Sequence, residues 1–281
     1  MLELRNVKKQ YKDFELDCSM SVPTGTVVGL IGANGAGKST TFKAILNLIS
    51  KDSGEITLFG KDAATLTTKE REKLGVVLAD SGVSGYLKVK DVISVFEYLY
   101  SEFDKEGFLA GCEQFHIPMD KKIKEFSTGM KRKLQVLLAI SHHADLLILD
   151  EPTAGMDVIA RGELLDMLRA YMESEDKSIL ISSHISSDLE GICDEIYMID
   201  QGKIILHEET DVLLDEYGIM KVTEEQYQDL DKEYILKYKK EPYGYRILTD
   251  KKQYYMEGYP QIVMEKGNID ELMMMMIRGN V

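Results

Sequence analysis

The sequence predicts an α/β fold of the phosphate-loop type, and three observations carry that expectation. The segment Gly32-Ala33-Asn34-Gly35-Ala36-Gly37-Lys38-Ser39-Thr40 follows directly on the apolar run Val27–Ile31. A second buried-strand pattern, Leu146–Leu149, ends on the paired acids Asp150 and Glu151. Between and beyond them, near-continuous apolar strands alternate with helical spacing, the mark of a parallel sheet covered on both faces.

The elements follow in order. Leu2, Leu4 and Val7 form a short strand pattern, and Phe14, Leu16, Cys18, Met20 and Val22 alternate with polar residues over a longer one, an antiparallel β subdomain at the N-terminus. Pro23-Thr24-Gly25 is a turn before the phosphate-loop strand. A helical run, Phe42–Ile49, comes after the loop, then strands over Glu55–Phe59 and Leu74–Leu78. From about Val89 to Lys124 the spacing is helical, with Pro118 as punctuation, so a helical insertion over about 81–140 separates strands of a mostly parallel central sheet. Alternation resumes through Leu146–Leu149, Val158–Met172, Ile179–Ser182, Ser187–Ile192 and Ile196–Ile199. Past Tyr217 tyrosines become frequent, and alternating segments at Tyr234–Tyr238 and Tyr243–Leu248 predict a small C-terminal α+β appendage over 218–281. Its last element, Ile269–Ile277, has one apolar helical face, read as packing on its own domain.

Composition narrows the function classes. At 281 residues there is room for one large domain and a small one. No apolar run approaches the roughly 20 residues that cross a bilayer, and the N-terminus lacks a leader pattern, so export is not expected. Cys18, Cys112 and Cys193 lack Cys-x-x-Cys spacing and read as buried apolar residues in a reducing compartment. A formal charge of −14 opposes non-specific attraction to nucleic acid or anionic lipid.

The chemistry starts with the glycine-rich loop. Its glycines let successive backbone N–H groups converge on one anion, and the following helix adds its positive end. Lys38 then reaches the β- and γ-phosphates of a nucleoside triphosphate, and the Ser39 hydroxyl ligates Mg²⁺. In a parallel sheet the C-terminal edge of Leu146–Leu149 lies beside that loop. Asp150 is thus placed for Mg²⁺, and Glu151 to accept a proton from an attacking water. Pro152 would also suit two acids that merely start a helix; the phosphate loop favours the chemical reading.

Taken as an ordered set, the residues resemble the ATP-binding cassette proteins over roughly 1–217, more narrowly the ATPase subunits of bacterial two-component exporters. Phe126-Ser127-Thr128-Gly129-Met130-Lys131 is similar to the family's signature, Ala154-Gly155-Met156-Asp157 to its D-loop, His184 to its switch histidine, and Tyr11 to the aromatic that stacks on adenine. The signature departs from the usual Leu-Ser-Gly-Gly-Gln at Thr128 and Met130, and Ala79-Asp80 stands where relatives carry glutamine, with Asp80 as the substitute metal ligand. The resemblance implies ATP and Mg²⁺ as cofactors, Ser127 and Gly129 closing on the nucleotide of a second cassette, identical or not, and a separate transmembrane permease. It places the chain on the inner face of the membrane, exporting a peptide, antibiotic or other amphipathic cargo, with no nucleic acid as partner. A soluble cassette ATPase acting on ribosomes or DNA is the alternative, though one cassette without sustained heptads argues against it; a weakly hydrolysing regulatory module is another. His142 and His143 lack metal-ligand partners and read as structural.

Overall fold

A computed structural model describes residues 1–79, 82–265 and 267–280. Strand β1 (Leu2–Gln10) runs antiparallel to β2 (Glu15–Val22), where Leu16, Cys18, Met20 and Val22 all point inward, as the alternation requires. Every residue of β3 (Val27–Ile31) is buried, the expected state of an interior parallel strand. Helix α1 (Lys38–Ile45) begins and ends earlier than the predicted helical run. Its extension stops because Asn47 takes a left-handed φ of 54° and the Leu48 N–H returns to the Lys43 carbonyl at 2.9 Å. Then follow β4 (Ser53–Leu58), β5 (Lys61–Asp62), α2 (Thr68–Arg71) behind a Thr67–Glu70 capping box, and β6 (Leu74–Val77).

The helical insertion consists of α3 (Val89–Leu99), α4 (Lys105–Gln114) and α5 (Thr128–Ile140). The alternating part continues with β7 (Leu146–Asp150), α6 (Val158–Tyr171), β8 (Ser178–Ser183), α7 (Ser186–Glu190) and β9 (Glu195–Asp200). Next come β10 (Lys203–Glu209), which the sequence pattern does not predict, and α8 (Thr210–Asp215). Ten strands form one sheet in the order β5-β4-β1-β2-β10-β9-β3-β8-β7-β6. From β9 to β6 the pairings are parallel, and β5 to β2 form an antiparallel flank. Strand β10 joins the two, antiparallel to β9 and bridged to β2 at Lys203 and Asp17, so the N-terminal β region is the wing of a single sheet. In register across the parallel part, Ile31 faces Ser183 and Asp150 faces Ser182, which gathers the carboxyl ends of β3, β7 and β8 at one edge.

The C-terminal segment is β11 (Gly218–Val222), α9 (Glu224–Asp229), β12 (Ile235–Glu241), β13 (Gly244–Thr249), α10 (Lys252–Gly258), β14 (Val263–Glu265) and α11 (Ile269–Arg278). Its antiparallel sheet has the order β12-β13-β11-β14. That is the split βαβ (ferredoxin-like) arrangement with one added helix. On one face Met220, Val222, Ile247 and Tyr255 form a small core under α9 and α10, and the tyrosines serve it: the rings of Tyr227 and Tyr245 stack at 4.0 Å. On the other face α11 packs on β12 and β13, as its apolar face predicts, and also on α7 of the main body. Ile219, Leu248, Ile269, Leu272 and Met275 share the core of the large sheet's helical layer through Leu213 and Tyr217, and the Ile269 N–H donates to Glu190 Oε1 at 3.0 Å. Truncating the fully buried Leu272 to alanine is therefore expected to cost about 2–5 kcal/mol, measured by denaturant unfolding of the whole chain.

All three cysteines are buried and unpaired, and burial pushes the thiols of Cys18 and Cys112 up to about 12. His142 is buried between the carbonyls of Leu138 and Leu74 and stacks on Tyr100, a structural role; burial holds its pKa below the usual histidine range.

Candidate active site

The loop after β3 is shaped by close approach. A side chain at Gly32 would put its Cβ 2.4 Å from the Ile199 carbonyl oxygen, and Gly37 has φ 121° with Phe14 and Ile199 already against it. No side chain caps α1 at Gly37 and no acid occupies its first turn, so the helix keeps its positive end for a ligand. Ala36 and Lys38 are buried, whereas Ala33, Asn34, Gly35 and Ser39 face solvent and Thr40 is half-buried. Lys38 opens the helix, and its Nζ donates to the Gly32 carbonyl at 2.5 Å and the Ala33 carbonyl at 3.3 Å. The cleft above measures about 400 Å³ and is walled by the loop, the first turn of α1, Asp13, Phe14 and Glu151.

The acids at the end of β7 meet this loop. Asp150 is buried and accepts a hydrogen bond from Ser182 Oγ at 2.7 Å. Glu151 turns out of the strand with φ 51°, a left-handed conformation that glutamate rarely adopts, and its N–H donates to the same Ser182 oxygen at 3.0 Å. Its Oε2 meets His184 Nδ1 at 2.5 Å, while Oε1 lies 3.1 Å from Lys38 Nζ. That ion-pair contact lacks hydrogen-bond alignment, so Oε1 is a buried oxygen with no hydrogen-bond partner. One carboxylate thus bridges the loop lysine and the imidazole. This strained bridge, next to a helix end without a cap, can receive a polyanion at Lys38 and a proton at Glu151.

The remaining candidates among the described residues do not line the cleft. Ser127 caps α5, its Oγ accepting the Met130 N–H at 3.2 Å, and Asp157 caps α6, its Oδ1 accepting the Ala160 N–H at 2.9 Å. The two helix starts abut at Gly129, where a Cβ would stand 3.1 Å from that of Ala160. Ser127 and Asp157 are therefore exposed at two abutting helix starts, with Gly129 buried at the contact between them. Tyr11 stands in the turn before β2 with its ring 6.1 Å from that of Phe14, and Phe14 is the aromatic that lines the cleft. Asp80 lies outside the described residues. Sequence reasoning missed Asp13, Phe14 and Ser182: Phe14 reads there as part of an inward alternation, and only its proximity to Gly37 reveals a second duty.

Comparison with known proteins gives the family. A family model described as ABC transporter matches residues 16–154. The lantibiotic transport ATP-binding protein SrtF of Streptococcus pyogenes is 35% identical over 223 residues, which are 75% of this chain and 92% of that protein. The linearmycin resistance ATP-binding protein LnrL of Bacillus subtilis is 34% identical over 73% of this chain and 68% of its own length. Among solved structures, an ATP-binding subunit of an ABC transporter superimposes with a TM-score of 0.68 at 26% identity, covering 76% of this chain and 92% of that one.

Proposed function

Because this chain belongs to the ABC transporter family, we propose that it is the ATP-binding and ATP-hydrolysing subunit that powers an exporter through a separate membrane-spanning subunit. The observation that carries the reading is the contact chain Lys38–Glu151–His184 at the mouth of the glycine loop. Lys38, now resting on loop carbonyls, exchanges them for the β- and γ-phosphates of ATP, and the loop N–H groups from Gly32 to Thr40 surround the anion. Releasing Lys38 frees Glu151 to orient and deprotonate water, with His184 holding the other carboxylate oxygen.

For Mg²⁺ the donor set fits. Ser39 supplies a hydroxyl and Asp150 a carboxylate, both hard oxygens; among the described residues no trio of His, Cys, Asp or Glu competes for the ion. Mg²⁺, when bound, draws charge from the phosphate oxygens. Asp80 is proposed as a further oxygen ligand. Steady-state phosphate release by the purified chain, dependent on ATP and magnesium, tests the reading; binding without turnover rejects it.

The cassette we assign to residues 1–217, with 218–281 accessory. Ser127 and Asp157, exposed at the starts of α5 and α6 with Gly129 at the contact between them and none of the three lining the chain's own cleft, suit contact with the nucleotide of a second cassette, and Tyr11, exposed beside Phe14, suits stacking on adenine. Relatives are named for lantibiotic transport, linearmycin resistance and Nod factor export, which supports an amphipathic cargo. Among the described residues no helix is long and apolar enough to cross a membrane, so the proposed place is peripheral, on the inner face beside the permease. Helix α3 of the insertion exposes Val95, Tyr98 and Leu99 at i, i+3 and i+4, with Tyr98 89% exposed, an apolar face suited to that partner. Tyr98→Asp with Leu99→Asp is expected to abolish co-purification with the permease and leave the isolated chain's basal phosphate release within about twofold. The formal charge of −14 disfavours the ribosome- or DNA-directed alternative.

A further inference from the structure

Ser182 touches both acids of the site, and the mechanism above makes no use of it. It lies on β8, fully buried and directly opposite Asp150 in the parallel pairing of β7 with β8. A hydroxyl has one proton, and this one is given to Asp150 Oδ1 at 2.7 Å. Its lone pair takes the N–H of Glu151 at 3.0 Å. Glu151 is where the chain leaves the strand in a left-handed turn, so the Ser182 side chain supplies the acceptor that the ladder no longer offers.

We propose that Ser182 is a positioning residue for the ATPase reaction, orienting the Asp150 carboxylate toward Mg²⁺ and holding the Glu151 main chain so that its carboxylate reaches Lys38 and His184. The proposal rests on the ATPase reading. Two independent contacts of one buried hydroxyl carry it. With Oδ1 engaged, the Asp150 carboxylate has a set rotation, and its second oxygen is the one that would serve Mg²⁺. With its N–H engaged, Glu151 keeps the backbone conformation from which Oε1 lies 3.1 Å from Lys38 and Oε2 lies 2.5 Å from His184. Residues that orient metal ligands in this way typically contribute about 10–100-fold in metal affinity or activity.

The test uses the full chain with Ser182→Ala, the near-isosteric Ser182→Cys, and Ser182→Thr, which keeps the hydroxyl. ATP affinity is measured by calorimetry in EDTA and again with magnesium, beside phosphate release and thermal melting. Alanine and cysteine are expected to bind ATP in EDTA within about twofold of wild type, to lose about tenfold of the magnesium enhancement of binding, and to lose about 10–100-fold in kcat. Threonine is expected to restore both. Wild-type magnesium enhancement in the alanine or cysteine chain overturns the proposal, as does a fall in kcat that only tracks a lower melting temperature. A wild-type chain that binds ATP without releasing phosphate removes the ATPase reading itself, a distinct result, and the proposal with it.

Discussion

Glu151→Gln is expected to lower ATP turnover by about 10²–10⁴-fold, the usual contribution of a general base, while leaving ATP binding intact. At 1.36 kcal/mol per decade that is about 3–5 kcal/mol of lost transition-state stabilisation. Glutamine keeps the shape of the side chain and its contact with His184, so the left-handed turn held by Ser182 survives. What disappears is the charge 3.1 Å from Lys38 Nζ, and with it the competition between Glu151 and phosphate for that ammonium. ATP affinity is thus expected to be unchanged or higher, and with two cassettes sharing nucleotide the variant accumulates as a closed dimer, detected by size-exclusion chromatography with magnesium and ATP. Undiminished phosphate release in this variant rejects Glu151 as the base.

Lys38→Ala is expected to weaken ATP binding by about 10²-fold or more, since charge-assisted hydrogen bonds to phosphate are each worth about 1.5–3 kcal/mol. It also leaves Glu151 Oε1, already without a hydrogen bond, with no cation beside it, so folding stability falls as well. Lys38→Arg is not expected to rescue either property. The Nζ sits between the carbonyls of Gly32 and Ala33, 2.5 and 3.3 Å away, and a planar guanidinium does not fit a point-charge site of that width. Fluorescent-nucleotide titration and denaturant unfolding measure the two effects, and near-wild-type affinity in Lys38→Ala would falsify the phosphate role.

The phosphate loop was legible because its chemistry lies within nine consecutive residues behind an unmistakable buried strand. Asp150 and Glu151 were legible for the same reason, since a strand's last residues state where they end. Strand β10 was not: its half-exposed Ile204, Ile205 and Leu206 run consecutively and lack the period-two pattern. The end of helix α1 is hidden in the sequence because Leu48 and Ile49 continue the apolar pattern after the backbone has turned at Asn47.

By itself, then, the chain's order of residues determined the parallel core, the glycine loop, the acidic pair and the family motifs, all set by spacing along a few covalent bonds. Only the tertiary structure decided that Glu151 spans Lys38 and His184, that Phe14 and Asp13 wall the cleft, and that Ser182 serves both acids. It also decided that α11 ties the C-terminal sheet into the main core. Those relations depend on sheet order and register, which bring together residues from about thirty positions apart, as Ser182 and Asp150 are, to more than a hundred, as Lys38 and Glu151 are, and local pattern holds no record of which strands become neighbours.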